Sequence, residues 1–350
     1  MTEGRGGGAW PGVMRFLLRR ILGIAPTLAG VAVTTFLLTH LLPGDPAVFF
    51  TSTPAAGAAT IQAVRVKLGL DLPLWHQFLI YGDNLLHGDL GTSITTGQPV
   101  MQDLLQRLPA SAELTLTGFI LAIMIALPLG LGAALRPGSL VDHACRLVST
   151  ACASLPAFVT GLLLIYFFYY LSGIAPEPIG RLDPFVATPP TVTGFLLIDT
   201  LLGGNGFGAA LGQLALPSLT TALFALAPLA RTTRASMLAV LGSDFIRTAR
   251  ANGLSWRTVV LSYALRNALL PVITTCGMIF STILGANVLV ERVFAWPGVG
   301  SYALDALIGL DYAPVQGFVL VMATLFVLVN LLVDIGSALV DPRAGLLVHA

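Results

Sequence analysis

Long apolar runs alternate with shorter polar ones along this chain. About six of the runs approach the ~20 residues that a helix needs to cross ~30 Å of hydrocarbon. They fall near residues 16–42, 114–135, 147–171, 214–229, 269–289 and 315–340. Helices are the expected element, because backbone donors and acceptors in lipid must be satisfied within their own segment. The strict alternation of a membrane barrel is absent. The pattern predicts an all-α polytopic membrane protein.

Two of the connections are long. The first, 43–110, carries Pro, Gly and polar punctuation with short helical stretches around 61–68 and 74–86. It is enough for a small subdomain but not for an independent core. The second, 172–213, contains Thr193-Gly194-Phe195-Leu196-Leu197-Ile198-Asp199-Thr200-Leu201-Leu202, closed by Gly203-Gly204-Asn205-Gly206. That run is too short to span and predicts an interfacial or re-entrant helix. Residues 1–13 are Gly-rich and aperiodic, a disordered extension or an upstream start, and Met14-Arg15-Phe16 reads as a natural beginning. The first apolar run is too long for a removable signal peptide and is expected to stay as an anchor.

Composition agrees with a lipid solvent: 55% of residues are hydrophobic and 10% charged, against roughly 25% charged in soluble domains. Mean hydropathy is +0.86. The net charge of +1 says little, but its distribution sets a topology. Arg15, Arg19, Arg20, Arg136, Arg146, Arg231, Arg234, Arg247, Arg250, Arg257, Arg266 and Arg343 all belong to one side. The opposite connections hold fewer cations and many acids, among them Asp71, Asp83, Asp89, Asp103, Asp199 and Asp311. Positive charge marks the cytoplasmic side, so both termini are expected to be cytoplasmic.

Several chemistries are missing. Lys67 is the sole lysine, and no Gly-rich loop precedes it, so the phosphate-binding loop of an ATPase cannot be built. The chain is not expected to be an enzyme or to hold a cofactor. Cys145, Cys152 and Cys276 lack zinc-like spacing, and no histidine pair sits one helical turn apart. No metal site follows from them. Nothing points to nucleic acid. Glu113, Glu291, Arg292 and Asp334 lie closest to hydrocarbon; all are near predicted span ends, where interfacial exposure or another structural or topological role accounts for them more simply than a direct substrate contact. No span centre carries the acid and histidine chain of a proton relay, which counts against an ion-coupled secondary transporter.

One basic polar island stands out between the fourth and fifth spans: Asp244-Phe245-Ile246-Arg247-Thr248-Ala249-Arg250-Ala251-Asn252-Gly253-Leu254. Phe245, Ile246 and Ala249 offer apolar contacts, with Arg247 and Arg250 spaced i, i+3 beside them. Gly253 suits the left-handed residue that closes a helix. Ser255 can cap a second short helix entering Trp256 and Arg257. Such a knob fits a groove on a partner protein; a basic loop that only fixes topology is the plainer alternative.

Ordered landmarks extend the pattern over most of the chain. Leu42-Pro43-Gly44-Asp45-Pro46, Leu68-Gly69-Leu70-Asp71 and Gly88-Asp89-Leu90-Gly91 come first. Leu108-Pro109-Ala110-Ser111-Ala112-Glu113-Leu114, the island, and Ala264-Leu265-Arg266-Asn267-Ala268-Leu269-Leu270-Pro271 come next. Val293-Phe294-Ala295-Trp296-Pro297-Gly298, Asp311-Tyr312 and Asp341-Pro342-Arg343 close the series. From about residue 14 to 343 the chain resembles a B-type permease of the dipeptide, oligopeptide and nickel ABC importers, and the island resembles their coupling loop. In place of the general Glu-Ala-Ala of such loops stands Arg247-Thr248-Ala249, with Asp244 as the nearby acid.

The resemblance implies a type I importer permease fold. The first helix and outer region would cover 14–108, the transmembrane domain 109–341 with its coupling loop at about 236–267, and a cytoplasmic tail 342–350. It also implies the partners: a homologous second permease, two ABC ATPase subunits carrying ATP and Mg, and an extracytoplasmic substrate-binding protein received by the Asp-rich outer loops. The ATPase-coupling residues would be Asp244, Phe245, Arg247, Thr248, Ala249, Arg250, Gly253 and Leu254, with Ala249 set against a groove on the ATPase. Peptides are the implied cargo, with nickel, glutathione or another small solute as alternatives. The substrate path is not assigned.

Overall fold

The computed structural model describes residues 23–37, 62, 65, 66, 69 and 71–340, with no side-chain description at 334 and 337–340. Residues 1–22, the Leu42-Pro43-Gly44-Asp45-Pro46 motif, Lys67, the Asp334 side chain and the tail from 341 lie outside them.

The described residues are almost wholly helical. Helix α1 (Gly23–Leu37) is the described part of the first predicted span, and α2 (Leu74–Leu86) lies in the outer connection. Then come α3 (Val100–Leu135), α4 (Leu140–Ser154), α5 (Ala157–Leu171), α6 (Leu196–Gly203) and α7 (Phe207–Leu241). Helix α8 (Asp244–Ala251) precedes α9 (Trp256–Val293), α10 (Val299–Ile308) and α11 (Tyr312–Val340). Among the described residues, α3, α7, α9 and α11 are each long and apolar enough to cross a membrane.

The third predicted span is not one rod. It is broken at Leu155-Pro156 into α4 and α5, which meet at 104°. Pro156 lacks an N–H and disfavours helical geometry in the residue before it; Leu155 accordingly takes φ −108, ψ 133. Three other spans run past their apolar stretches. Helix α3 starts at Val100 and carries Pro109 inside it; α7 continues through Arg231 and Arg234 to Leu241; α9 begins at Trp256.

The centre is the parallel pair α3 and α7, with α9 across both. Lipid supplies little drive for helix association, so close backbone approach through small residues has to supply it. Ala122, Ala126 and Ala133 meet Ala222, Ala225 and Ala230 in one buried cluster. A Cβ at Gly118 would stand 2.6 Å from Thr221 Cβ, and one at Gly130 2.7 Å from the Ala230 carbonyl. Polar glue joins the same three helices. Thr221 donates to Asn287 Oδ1 (3.1 Å), and Asn287 Nδ2 donates to Thr115 (2.9 Å).

Candidate functional site

The island forms two structures with different fates. Residues 244–251 make α8, with Asp244 in its first turn and Arg250 in its last, which suits the helix dipole at both ends. Gly253 then turns left-handed, φ +78. Its N–H reaches the Arg250 carbonyl (3.0 Å), and the Leu254 N–H reaches that of Ala249 (3.3 Å). This paired closure satisfies two carbonyls the helix end would otherwise strand. Ser255 caps the start of the next helix by accepting from the Thr258 N–H at 3.3 Å. The expected second short helix is instead the first turn of α9. It widens at once to a π-helix over Val259–Ala264, an insertion often found at functional positions.

The two faces of α8 divide the candidate residues. Ile246 and Ala249 are buried and share a cluster with Ala134 of α3, Met237 of α7 and Val259, Val260, Ala264 and Ala268 of α9. Ala249 therefore does not present itself to a partner; it fastens the helix to three spans. Phe245, Leu254 and Trp256 are 45%, 39% and 46% exposed, apolar side chains left uncovered beside cations. Arg247 pairs with Asp244 at 3.1 Å, both largely exposed, a contact worth little in water. Thr248 is exposed, its hydroxyl turned back to the Asp244 carbonyl at 3.0 Å, and Arg250 lies over the Trp256 ring, 5.1 Å from its centroid. The result is a knob with an apolar and basic outer surface, joined on its inner face to α3, α7 and α9.

A second fastening holds α4 at the same end. Asp142 accepts from Arg234 Nε at 2.6 Å and Nη2 at 3.1 Å, from Arg146 at 3.2 Å and from the Gly138 N–H at 2.9 Å. Arg234, a loop charge by its place in the sequence, is thus part of a cross-helix network. Asp142 gave no signal of its own in the sequence beyond lying four residues before Arg146.

At the far end the acids are mostly committed to structure. Glu113 pairs with Arg181 at 2.6 Å and accepts from the Leu197 N–H at 2.7 Å. Glu291 accepts from Ser111 (2.5 Å) and the Ser301 N–H (2.9 Å), packed so closely against Gly298 that a Cβ there would overlap its carboxylate. Both glutamates are buried, at 3% and 1% exposure, and not held at an exposed interface as the sequence suggested; Arg292 does lie outward, bonded to Asp305 at 2.8 Å. Asp311 gathers Ser93 and the Ile94 and Thr95 N–H groups at 2.7–3.0 Å. Asp103 takes hydroxyls from Thr96 and Tyr302. Asp199 binds the Thr193 and Gly194 N–H groups. Three acids of the Asp-rich loops are therefore buried and unavailable to a docking protein, whereas Asp71, Asp83, Asp89 and Asp305 stay exposed.

Comparison with known proteins adds a lineage to this geometry. Residues 126–345 match the family model "Binding-protein-dependent transport system inner membrane component", and 13–115 match its N-terminal companion. The chain is 45% identical over 331 residues to the "Probable D,D-dipeptide transport system permease protein DdpB" of Escherichia coli K12, covering 94% of this chain and 97% of that one. It is 38% identical over 335 residues to the dipeptide transport system permease protein DppB of the same strain, covering 95% and 98%. A solved chain of the MetNI methionine ABC transporter, in an inward-facing crystal form, matches in fold with a TM-score of 0.51. That match has 19% identity and covers 69% of this chain and 97% of that one.

Proposed function

The chain belongs to the binding-protein-dependent transport system inner membrane component family, and from that premise we propose that it is a pore-forming permease subunit of an ATP-driven dipeptide importer. It is a transport subunit and not an enzyme; ATP hydrolysis falls to partner chains. The near full-length identity to two dipeptide-system permeases supports the cargo. The observation that carries the mechanism is the two-faced island. Its inner side is fused to three spans while its outer side leaves Phe245, Leu254 and Trp256 uncovered.

In this reading the island end faces the cytoplasm, together with both termini, and each of two ATPase subunits grips the island of one of two homologous permeases. The residues presented to the ATPase are Asp244, Phe245, Arg247, Thr248, Arg250 and Leu254. Gly253 fixes the angle of α8 and Ala249 anchors it. Closure of the ATPases on ATP tilts α8. Because Ile246 and Ala249 interlock with α3, α7 and α9, the spans move with it and do not slide past; close-packed interiors transmit displacement instead of absorbing it. Opening then faces a substrate-binding protein at the far end, which meets the exposed acids Asp71, Asp83, Asp89 and Asp305.

The test is uptake of labelled dipeptide, a longer peptide and nickel ion in cells lacking the chain, with and without its restoration. Dipeptide uptake lost and then restored supports the reading. Unchanged dipeptide uptake with loss of nickel uptake would replace the cargo.

A further inference from the structure

The break at Leu155-Pro156 leaves a cavity of about 380 Å³ between α4, α7 and α9. Its lining includes Cys152, Leu155, Phe224, Pro228, Ile279 and Arg231. Arg231 is placed within α7, about 15 Å along the axis from the helix end at Leu241. It stands just past the apolar stretch of α7, and a cation bordering an apolar cavity is ordinarily neutralised or functional. Its neighbour Arg234, one turn further on, is neutralised by Asp142. Arg231 donates no hydrogen bond and meets no carboxylate among the described residues, and it is exposed.

The lining sets Arg231 and Thr282 among the apolar Phe224, Ala227 and Ile279. A guanidinium fork suits a carboxylate, and an apolar surface is indifferent to which side chain it meets. The volume lies near the small end of ligand sites, ~300–1,000 Å³.

We propose that this cavity is a peptide-holding station on the translocation path, in which Arg231 takes the C-terminal carboxylate of a di- or tripeptide. The inference rests on the dipeptide-permease reading and adds to it the group on the peptide that the pore itself reads. It separates Arg231 from the arginines that only set topology, which need a membrane end but no cavity.

The test uses the complete transporter, both permeases and both ATPases, in proteoliposomes. The first readout is labelling of Cys152 by N-ethylmaleimide, quantified by mass spectrometry without binding protein, in the presence of dialanine or its C-terminal amide. Dialanine is expected to slow labelling in the wild type at concentrations about tenfold or more below those needed for the amide, the range of a charged hydrogen bond. Arg231→Gln should erase that difference, and Arg231→Lys should keep part of it. The second readout is transport. Arg231→Gln should lower dipeptide uptake about tenfold or more while ATPase stimulation by loaded binding protein persists.

Equal discrimination in Arg231→Gln, or no protection of Cys152 in a transporter that moves dipeptide, would overturn the proposal alone. Separation of the two permeases in Arg231→Gln on gel filtration would also overturn it, by assigning the guanidinium to the subunit interface. A wild type that moves no dipeptide at all would instead sink the functional reading on which it rests.

Discussion

Gly253 offers the sharpest test of the lever, because its contribution is purely one of backbone conformation. Nothing lies within 4 Å of a Cβ added there, yet φ is +78. Gly253→Ala therefore meets no clash and costs only the left-handed conformation, about 1–2 kcal/mol for an L-residue. That corresponds to roughly a 5–30-fold loss in the ratio of closed to opened geometry. Asparagine tolerates this region better, so Gly253→Asn should cost less. Gly253→Pro forces φ near −65° and deletes the N–H that bonds Arg250 at 3.0 Å, which puts it at about 3 kcal/mol or more. The assay is stimulation of ATPase turnover by loaded binding protein in reconstituted transporter, set against permease abundance in the membrane. Coupling should fall in the order Gly, Asn, Ala, Pro with abundance unchanged, since the turn lies between helices and outside the buried clusters. Wild-type uptake by Gly253→Pro, or an Asn variant as impaired as the Pro variant, would refute the reasoning.

Four further outcomes are expected. Ala249→Asp places an unpaired charge in the cluster under α8 at a cost of about 3 kcal/mol or more, so the permease itself should fail to accumulate; normal abundance with only weakened ATPase recovery would put Ala249 on the docking surface after all. Gly130→Val should lower the melting point in detergent, at about 1–3 kcal/mol for overpacking against Ala230 and Thr233, and an unshifted melt would deny the close α3–α7 contact. Cysteines substituted for the exposed Thr92 and Thr248 should react with an impermeant reagent from outside and from inside respectively, and the reverse pattern would invert the topology. Burial pushes Asp199 up, but hydrogen bonds from the Thr193 backbone and hydroxyl and from the Gly194 N–H win and hold it below the usual carboxylate range. A depressed acid stabilises its loop above its unfolded titration range and loses that as pH falls through the folded one. Proteolysis of the 172–206 loop should accordingly rise toward acid pH, and Asp199→Asn should flatten the dependence.

The membrane class, most of the spans and the island were legible in the sequence, because each depends on local chemistry. Hydrophobic run length reports what lipid will accept, and among the described residues it located the four long apolar helices. The helix expected over 74–86 has those bounds in the structure. The run at 193–202 is a short helix closed by glycine, and Gly253 is left-handed, since only a residue without a Cβ takes such a turn cheaply.

What hydropathy could not show is where a helix stops. Helix α3 starts well before its apolar stretch and α7 ends well after its own, because hydrogen bonding along the axis does not require lipid contact; Arg231 and Arg234 consequently read as loop charges in the sequence. Nor could it resolve a span broken by Pro156, as a proline within an apolar run kinks some helices and breaks others according to what stands beside them. Burial of Asp142, Asp199, Glu291 and Asp311 depended on partners distant in the chain or on loop geometry, such as Arg234 for Asp142 and Ser111 for Glu291. The inward turn of Ala249 depended on the rotation of an eight-residue helix against three others. Sequence by itself determined which segments enter the membrane and where the polar island lies, since transfer free energy is a sum over local side chains. Only tertiary structure decided which charges are paired, which face of the island is free and where a cavity opens, because those depend on which helices meet and at what rotation.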